Sequence, residues 1–315
     1  MSRRRRSRGR PVDGIVVVNK EKGASSNDVL QRVKRLYGAA KAGHTGSLDP
    51  LATGVLPICL GEATKFSQFL LDSDKSYRTV VKLGARTETG DLEGEIVEER
   101  PVNVTQSDVE AILEQFRGDI DQVPSMYSAL KHNGEPLYKL ARQGIVVDRP
   151  SRRITIHRLD MLAFNGDSIT LEVDCSKGTY IRTLAEDIGE ALGCLAHVIE
   201  LHRVAAGPYR EDRMHTLQAL EEVRDGGGHA ALDELLLPLD TSVSDWPQVR
   251  LGQTSSFYIT QGQPVQVPQA PISGGVRLYG QEISESGEES FRFLGVGHID
   301  DDGRVAPKRL INTKS

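Results

Sequence analysis

The sequence predicts a chain of the α/β class, in its α+β form, with a large first domain and a small barrel-like β domain behind it. Three observations carry this. A β-branched run, Gly14-Ile15-Val16-Val17-Val18-Asn19, is followed at once by a helical pattern with Val29, Leu30, Val33 and Leu36 on one face. Tyr77, Thr79, Val81 and Leu83 then alternate with Arg78, Val80 and Lys82, the period of a strand with one buried face. Beyond Asp245-Trp246-Pro247 only short β-like runs remain, at Pro264 to Val267, Gly275 to Tyr279 and Phe291 to Ile299. At 315 residues there is length for one large core and a small one, with a boundary near residue 245.

Hydrophobic residues make up 38% of the chain and charged residues 26%, a globular composition with no apolar run long enough to span a bilayer. Cys59, Cys175 and Cys194 are odd in number and lack metal-ligand spacing, which argues against a disulfide framework or a zinc site and fits a reducing cytoplasm. A formal net charge of −5 does not mark a nucleic-acid binder, so the distribution of charge matters more than its sum. The start, Ser2-Arg3-Arg4-Arg5-Arg6-Ser7-Arg8-Gly9-Arg10, has no apolar segment after its charges and is not a secretory signal. Residues 1–10 read as a disordered basic arm, either solubilising or in contact with phosphate.

Taken in order, Ser25 with Asp28 three residues on predicts a capped start for the first helix, whose outer face is basic at Arg32, Lys34 and Arg35. The stretch Gly43-His44-Thr45-Gly46-Ser47-Leu48-Asp49-Pro50-Leu51-Ala52-Thr53-Gly54 holds three glycines and a proline, which rules out an ordinary helix or central strand. Pro50 pushes Asp49 into an extended conformation between two leucines. Asp-Pro is a common turn initiator, yet the apolar run Val55 to Leu60 that follows anchors this turn against a core, and an anchored carboxylate needs a partner or a task. A short helix near Glu62 to Leu70 precedes the Tyr77 strand, where a lone tyrosine is ordinarily core.

Thr87 to Gly94 is a polar, glycine-rich loop without phosphate-cradle spacing, and Val109, Ile112, Leu113 and Phe116 form a helix that Gly118 stops. From Val123 to Gly144 aromatic and basic residues interleave on a long connection. Lys131, Lys139 and Arg142 beside tyrosines suit folded RNA with splayed bases, while Leu137, Leu140 and Ala141 fit a packed helix face. Ile154 to Ile156 and Ile169 to Cys175 read as strands around Asn165-Gly166-Asp167. Ile181, Leu184, Ala185, Ile188 and Leu192 share a helix face that Gly193 ends, and this places Arg182 in a first turn, where the helix dipole disfavours a cation by about 0.3–1 kcal/mol. Either the placement is incidental or Arg182 faces a fixed anion, for which Asp49 is the candidate. From Met214 the chain is helical and acidic, broken at Gly226-Gly227-Gly228.

Gly43 to Gly54, continued through Leu60-Gly61-Glu62-Ala63-Thr64-Lys65, closely resembles the catalytic motif of the TruB family of tRNA pseudouridine-55 synthases. Lys177-Gly178-Thr179-Tyr180-Ile181-Arg182 and His197-Val198-Ile199-Glu200-Leu201-His202-Arg203 are similar to two further motifs, and the resemblance runs from Gly14 to about Leu310. It implies a pseudouridine synthase fold with a large, mainly antiparallel sheet over residues 11–245, an RNA-gripping insertion at about 124–153, and a PUA-like RNA-binding domain over 246–315. Leu294-Gly295-Val296-Gly297 and Arg304-Val305-Ala306-Pro307 carry the last of these. It further implies that Asp49 is the nucleophile and Arg182 its ion-pair partner, and that Tyr77 packs on the target base and is a candidate proton acceptor. Tyr180 and Leu201 match base-contacting positions, His44 would hold the extruded nucleotide, and Lys20 would structure the pocket. The chain has Glu21 where the family usually has proline. The partner implied is the T-arm of tRNA, with no metal, organic cofactor or membrane, and the chain acting as a monomer. A non-catalytic RNA-binding protein would be marked by loss of Asp49 or Arg182, and a base-exchanging transglycosylase by a second base site; neither mark is present.

Overall fold

The computed structural model of the chain describes residues 9–312. The chain enters through β1 (Gly14–Lys20) and helix α1 (Ser26–Leu36), whose Ser25 and Asp28 cap each other's backbone, an arrangement that contributes about 1 kcal/mol. Strand β2 (Ala42–His44) leads to the Asp49 loop, and β3 (Thr53–Leu60) returns antiparallel to β1. A 3-10 turn (Gly61–Lys65) and α2 (Ser67–Leu71) divide the helix expected near Glu62 to Leu70, and β4 (Lys75–Leu83) carries Tyr77. The glycine-rich loop 87–94 joins β5 (Ala85–Thr87) to β6 (Ile96–Glu99), and α3 (Gln106–Leu113) leads to β7 (Gly118–Gln122).

The interleaved stretch after β7 is a small folded unit rather than one long connection. Hairpin β8 (Lys131–His132) and β9 (Glu135–Pro136) closes at Asn133-Gly134, both at positive φ as a two-residue turn requires, and α4 (Leu137–Ala141) follows with Leu137 buried. Strand β10 (Arg152–Phe164) begins inside the range expected for the insertion, and Arg153 lies 3.5 Å from Asp121 and 3.8 Å from Asp119, so its charge is offset by neighbouring carboxylates. Strand β11 (Ser168–Cys175), α5 (Ile181–Ala191), β12 (Ala196–Ala206) and β13 (Tyr209–Arg210) complete the sheet, and α6 (Leu217–Asp233) is kinked at Gly228, within the expected triple glycine.

The nine strands run β1-β3-β12-β4-β11-β10-β7, with β2 on β3 and β13 on β12. Among the described residues every pairing in this sheet is antiparallel except β12 with β3, where His202 meets Thr53 and Arg203 meets Gly54. Val16 and Val18 face a core shared with α1, α3, α5 and α6, while Ile15 and Val17 face a second cluster with Leu70 and Tyr209. Burial on both faces explains why β1 and β3 read as continuous apolar runs.

The last segment forms β14 (Gln248–Leu251), α7 (Gln253–Thr260), β15 (Gly275–Ile283), β16 (Glu289–Ile299) and β17 (Val305–Leu310), with the four strands paired in that order. Pro264 to Val267 is not a strand; it touches the sheet through one bridge, Val265 to Val305. Helix α7 was not anticipated, because it shows no apolar stripe and leaves Phe257 and Tyr258 exposed. This small domain packs on the large one through Phe66, Val243 and Val296, with the Phe69 and Trp246 rings 5.0 Å apart. Of the basic arm expected over 1–10, residues 1–8 lie outside the described residues. Arg10 is fixed, its guanidinium donating to Asp233 at 2.9 and 2.5 Å and to the Tyr37 carbonyl at 3.0 Å.

Candidate active site

The Asp49 loop is held from three sides. The Ser26 hydroxyl accepts from Leu48 N at 2.7 Å, and Gly23 N donates to the Pro50 carbonyl at 2.8 Å. Beneath it, the fully buried Lys20 ammonium donates to the carbonyls of Glu21, Pro50 and Ala52 at 3.0, 3.2 and 2.5 Å. Burial pulls this ammonium down to about 8, opposed by the nearby Asp49 charge. With Leu48 and Leu51 buried as well, the side chain of Asp49 is presented outward from a fixed backbone and is 41% exposed. Glu21 takes part through its backbone alone, its carbonyl accepting from Lys20.

Arg182 occupies the first turn of α5, and the anion that explains it is present. Its Nε lies 2.9 Å from Asp49 Oδ2 and 3.7 Å from Asp91 Oδ2. The remaining nitrogens donate to the carbonyls of Thr89 at 2.6 Å and Tyr127 at 2.8 Å. Asp91 is itself fixed, accepting from the Thr89 hydroxyl at 2.6 Å and Glu93 N at 3.1 Å. The guanidinium therefore ties the Asp49 loop, the 87–94 loop and the segment after β7 into one unit. Asp91 was passed over in sequence because nothing local separates it from the other polar residues of its loop.

The Asp49–Arg182 pair opens on a cavity of about 300 Å³ whose walls include Tyr77, Tyr180, Leu201, Lys75 and Arg203. Gln122 clamps Tyr180 through its backbone, accepting from Tyr180 N at 2.8 Å and donating to its carbonyl at 3.1 Å. Burial raises the hydroxyls of Tyr77 and Tyr180 above the usual phenol range. Lys75 directs its ammonium to the carbonyls of Leu70, Leu71 and Ser73, and burial brings it down to about 8. Neither Lys75 nor Arg203 was singled out in sequence, although period two from Tyr77 and from Leu201 places both on the cavity side.

Five of the seven expected site residues thus meet in one place: Asp49, Arg182, Tyr77, Tyr180 and Leu201. Lys20 does not reach the cavity, and its three carbonyl contacts make it a support of the loop rather than a substrate contact. His44 sits at the end of β2, outside the cavity wall, with Nδ1 buried and without a hydrogen-bond partner among the described residues. Burial first, and Arg203 second, hold its imidazole below the usual histidine range. Among the described residues no three His, Cys, Asp or Glu side chains cluster as a metal site would require, and all three cysteines are free and buried. No helix of the described residues is long and apolar enough to cross a membrane.

Comparison with known proteins identifies the family. The family described as TruB family pseudouridylate synthase (N terminal domain) matches residues 34–181, and two TruB C-terminal families match 182–244 and 247–311. The tRNA pseudouridine synthase B of Ectopseudomonas mendocina (strain ymp) is 56% identical over 304 residues, 96% of this chain and 97% of its own. That of Serratia proteamaculans (strain 568) is 56% identical over 317 residues, 99% of this chain and 98% of its own. Among solved structures, a chain of an H/ACA RNP bound to a substrate RNA containing 2'-deoxyuridine shares the fold with a TM-score of 0.72 at 21% identity, covering 99% of this chain and 92% of that one. A chain of a Cbf5-Nop10-Gar1 complex does so at 0.70 and 24%, covering 96% and 84%. With family models covering 34–311 and relatives more than half identical over nearly the full length, the chain belongs to the TruB family of pseudouridylate synthases.

Proposed function

We propose that the chain isomerises uridine 55 in the T-loop of tRNA to pseudouridine, with Asp49 as nucleophile. The observation that carries this is the Asp49–Arg182 pair at 2.9 Å, set in a cavity of about 300 Å³ with room for a base and part of its sugar, and walled by two tyrosines and a leucine. The substrate class follows from the relatives, which are named tRNA pseudouridine synthase B. Isomerisation breaks the N1–C1′ bond, turns the uracil and joins C5 to C1′, so N1 gains a proton and C5 loses one. An aspartate held outward by a rigid loop and aligned by a guanidinium suits attack on the extruded nucleotide. Tyr77 and Tyr180 would enclose the base, Leu201 would pack on it, and His44 would help hold the extruded nucleotide. Residues 11–245 serve catalysis in this reading, 124–153 grip the T-loop and 246–315 add RNA contacts. The chain is taken to act as a monomer, and the three free buried cysteines fit the cytoplasm.

The direct test is incubation of a T-stem-loop RNA with the protein, then carbodiimide labelling and mass spectrometry, since isomerisation alone leaves the mass unchanged. A labelled adduct at position 55 is expected. Its absence would sink the proposal, and incorporation of radiolabelled free uracil would indicate base exchange instead. Tyr77→Phe keeps the ring and removes the hydroxyl, so the single-turnover rate should fall by roughly 10²–10⁴ with RNA affinity little changed. A near-normal rate would reduce Tyr77 to a stacking surface.

A further inference from the structure

Arg203 is 1% exposed, yet among the described residues no carboxylate pairs with it: Nε donates to the Val55 carbonyl at 2.7 Å, an Nη to the Gly46 carbonyl at 3.5 Å, and the guanidinium also hydrogen-bonds the Tyr77 side chain. A cation taken this far out of water is costly unless it is paired or used. It lines the active-site cavity, and its Cα faces that of Tyr77 across the β12–β4 ladder. Directly opposed residues on an antiparallel pair project from the same face a few ångströms apart, so the guanidinium and the phenol share one environment. The cavity surroundings already hold Lys20, Lys75 and Arg182 against Asp49 and Asp91, so neutralising the carboxylates does not call for a further cation.

We propose that Arg203 is a positioning residue for Tyr77, there to stabilise negative charge on the phenolic oxygen while Tyr77 accepts a proton from the nucleotide. This rests on the proposed isomerisation. Once C5 has bonded to C1′, its proton passes to the Tyr77 phenolate, the C–H electron pair restores the C5–C6 double bond, the C6–N1 π pair moves onto N1, which takes a proton from water, and the phenol gives its own proton back to water. The groups facing Tyr77 fit the assignment. Burial raises its hydroxyl and so opposes the phenolate, the Cys175 thiol on β11 and Asp49 also oppose it, and Arg203 on β12, by its charge and its hydrogen bond, is the influence that favours it. Lys75, on the same strand face, is engaged by three carbonyls, and Arg182 by Asp49 and Asp91.

A double-mutant cycle with a pH profile tests this. In single-turnover conversion of a T-stem-loop RNA, Arg203→Met should slow the reaction by about 10–100-fold near neutral pH. It should also move the rising limb of the rate profile to higher pH. Arg203→Lys should restore most of the rate, and it supplies the measurement should Arg203→Met fail to fold in a thermal melt. On a Tyr77→Phe background the limb should disappear, and Arg203→Met should add no more than about threefold. Equal losses on both backgrounds, or an unmoved limb, would overturn the assignment and return Arg203 to a support of the Gly46 and Val55 backbone. A wild-type protein that forms no pseudouridine would instead overturn the isomerase reading, so the two failures are distinguishable.

Discussion

Asp49→Asn is expected to fold, to bind T-stem-loop RNA and to form no pseudouridine. The substitution keeps the shape of the side chain and removes its charge and nucleophilic oxygen. Little else should change, because the loop is held by Lys20, Ser26 and Gly23 through backbone groups that the substitution leaves alone. The charge of Arg182 remains beside Asp91, so stability should stay within about 1 kcal/mol of wild type. Single-turnover conversion should drop by on the order of 10⁴-fold or more. Filter binding and a thermal melt of the same preparation separate chemistry from folding. Measurable pseudouridine from clean Asp49→Asn protein would remove the nucleophile assignment, and loss of folding would return Asp49 to a turn-forming role.

Arg182→Met should behave differently, damaging both activity and fold. Methionine fills much of the volume, but Asp91, buried and left without its cation, and the carbonyls of Thr89 and Tyr127 lose their donor together. The cost should be about 2–4 kcal/mol, most of it from Asp91 and the carbonyls, since the partly exposed Asp49 is screened by solvent. Asp49 also loses its alignment, and the chemical step should slow by roughly 10²–10⁴. A melting temperature equal to that of wild type would show that Arg182 acts on Asp49 alone. An unchanged rate would remove it from the site.

Asp49 and Arg182 were legible in the sequence because each breaks a local rule. One is a carboxylate in a glycine- and proline-rich turn fastened to apolar strand, the other a cation at the wrong end of a helix, and the structure brings the two together. The residues that escaped obey their local patterns. Asp91 is an ordinary polar residue until α5 packs against its loop, and Arg203 and Lys75 are charges inside strands, where only the identity of neighbouring strands reveals a cavity. Irregular register hid part of the fold as well. Strand β10 slips between Ile156 and Arg158 and between Met161 and Ala163, so its alternation fades after the first few residues and a 13-residue strand reads as three. In the last domain, Pro264 gives a β-like run that only one bridge secures.

The place of β12 between β3 and β4 has a consequence for how the site comes into being. The strands that precede it can form two separate ribbons, β1 with β3 and β4 with β11, β10 and β7, the first leading to Asp49 and the second carrying Tyr77. Nothing in the sheet joins these ribbons until β12 slides between them, meeting Gly54 on one side and Tyr77 on the other with the same residue, Arg203. Contacts spanning some 150 positions of chain close late, because loop entropy must be overcome before they are rewarded. A nascent chain emerging from the ribosome thus has its Asp49 loop made early but its cavity walled in only after residue 206 has emerged.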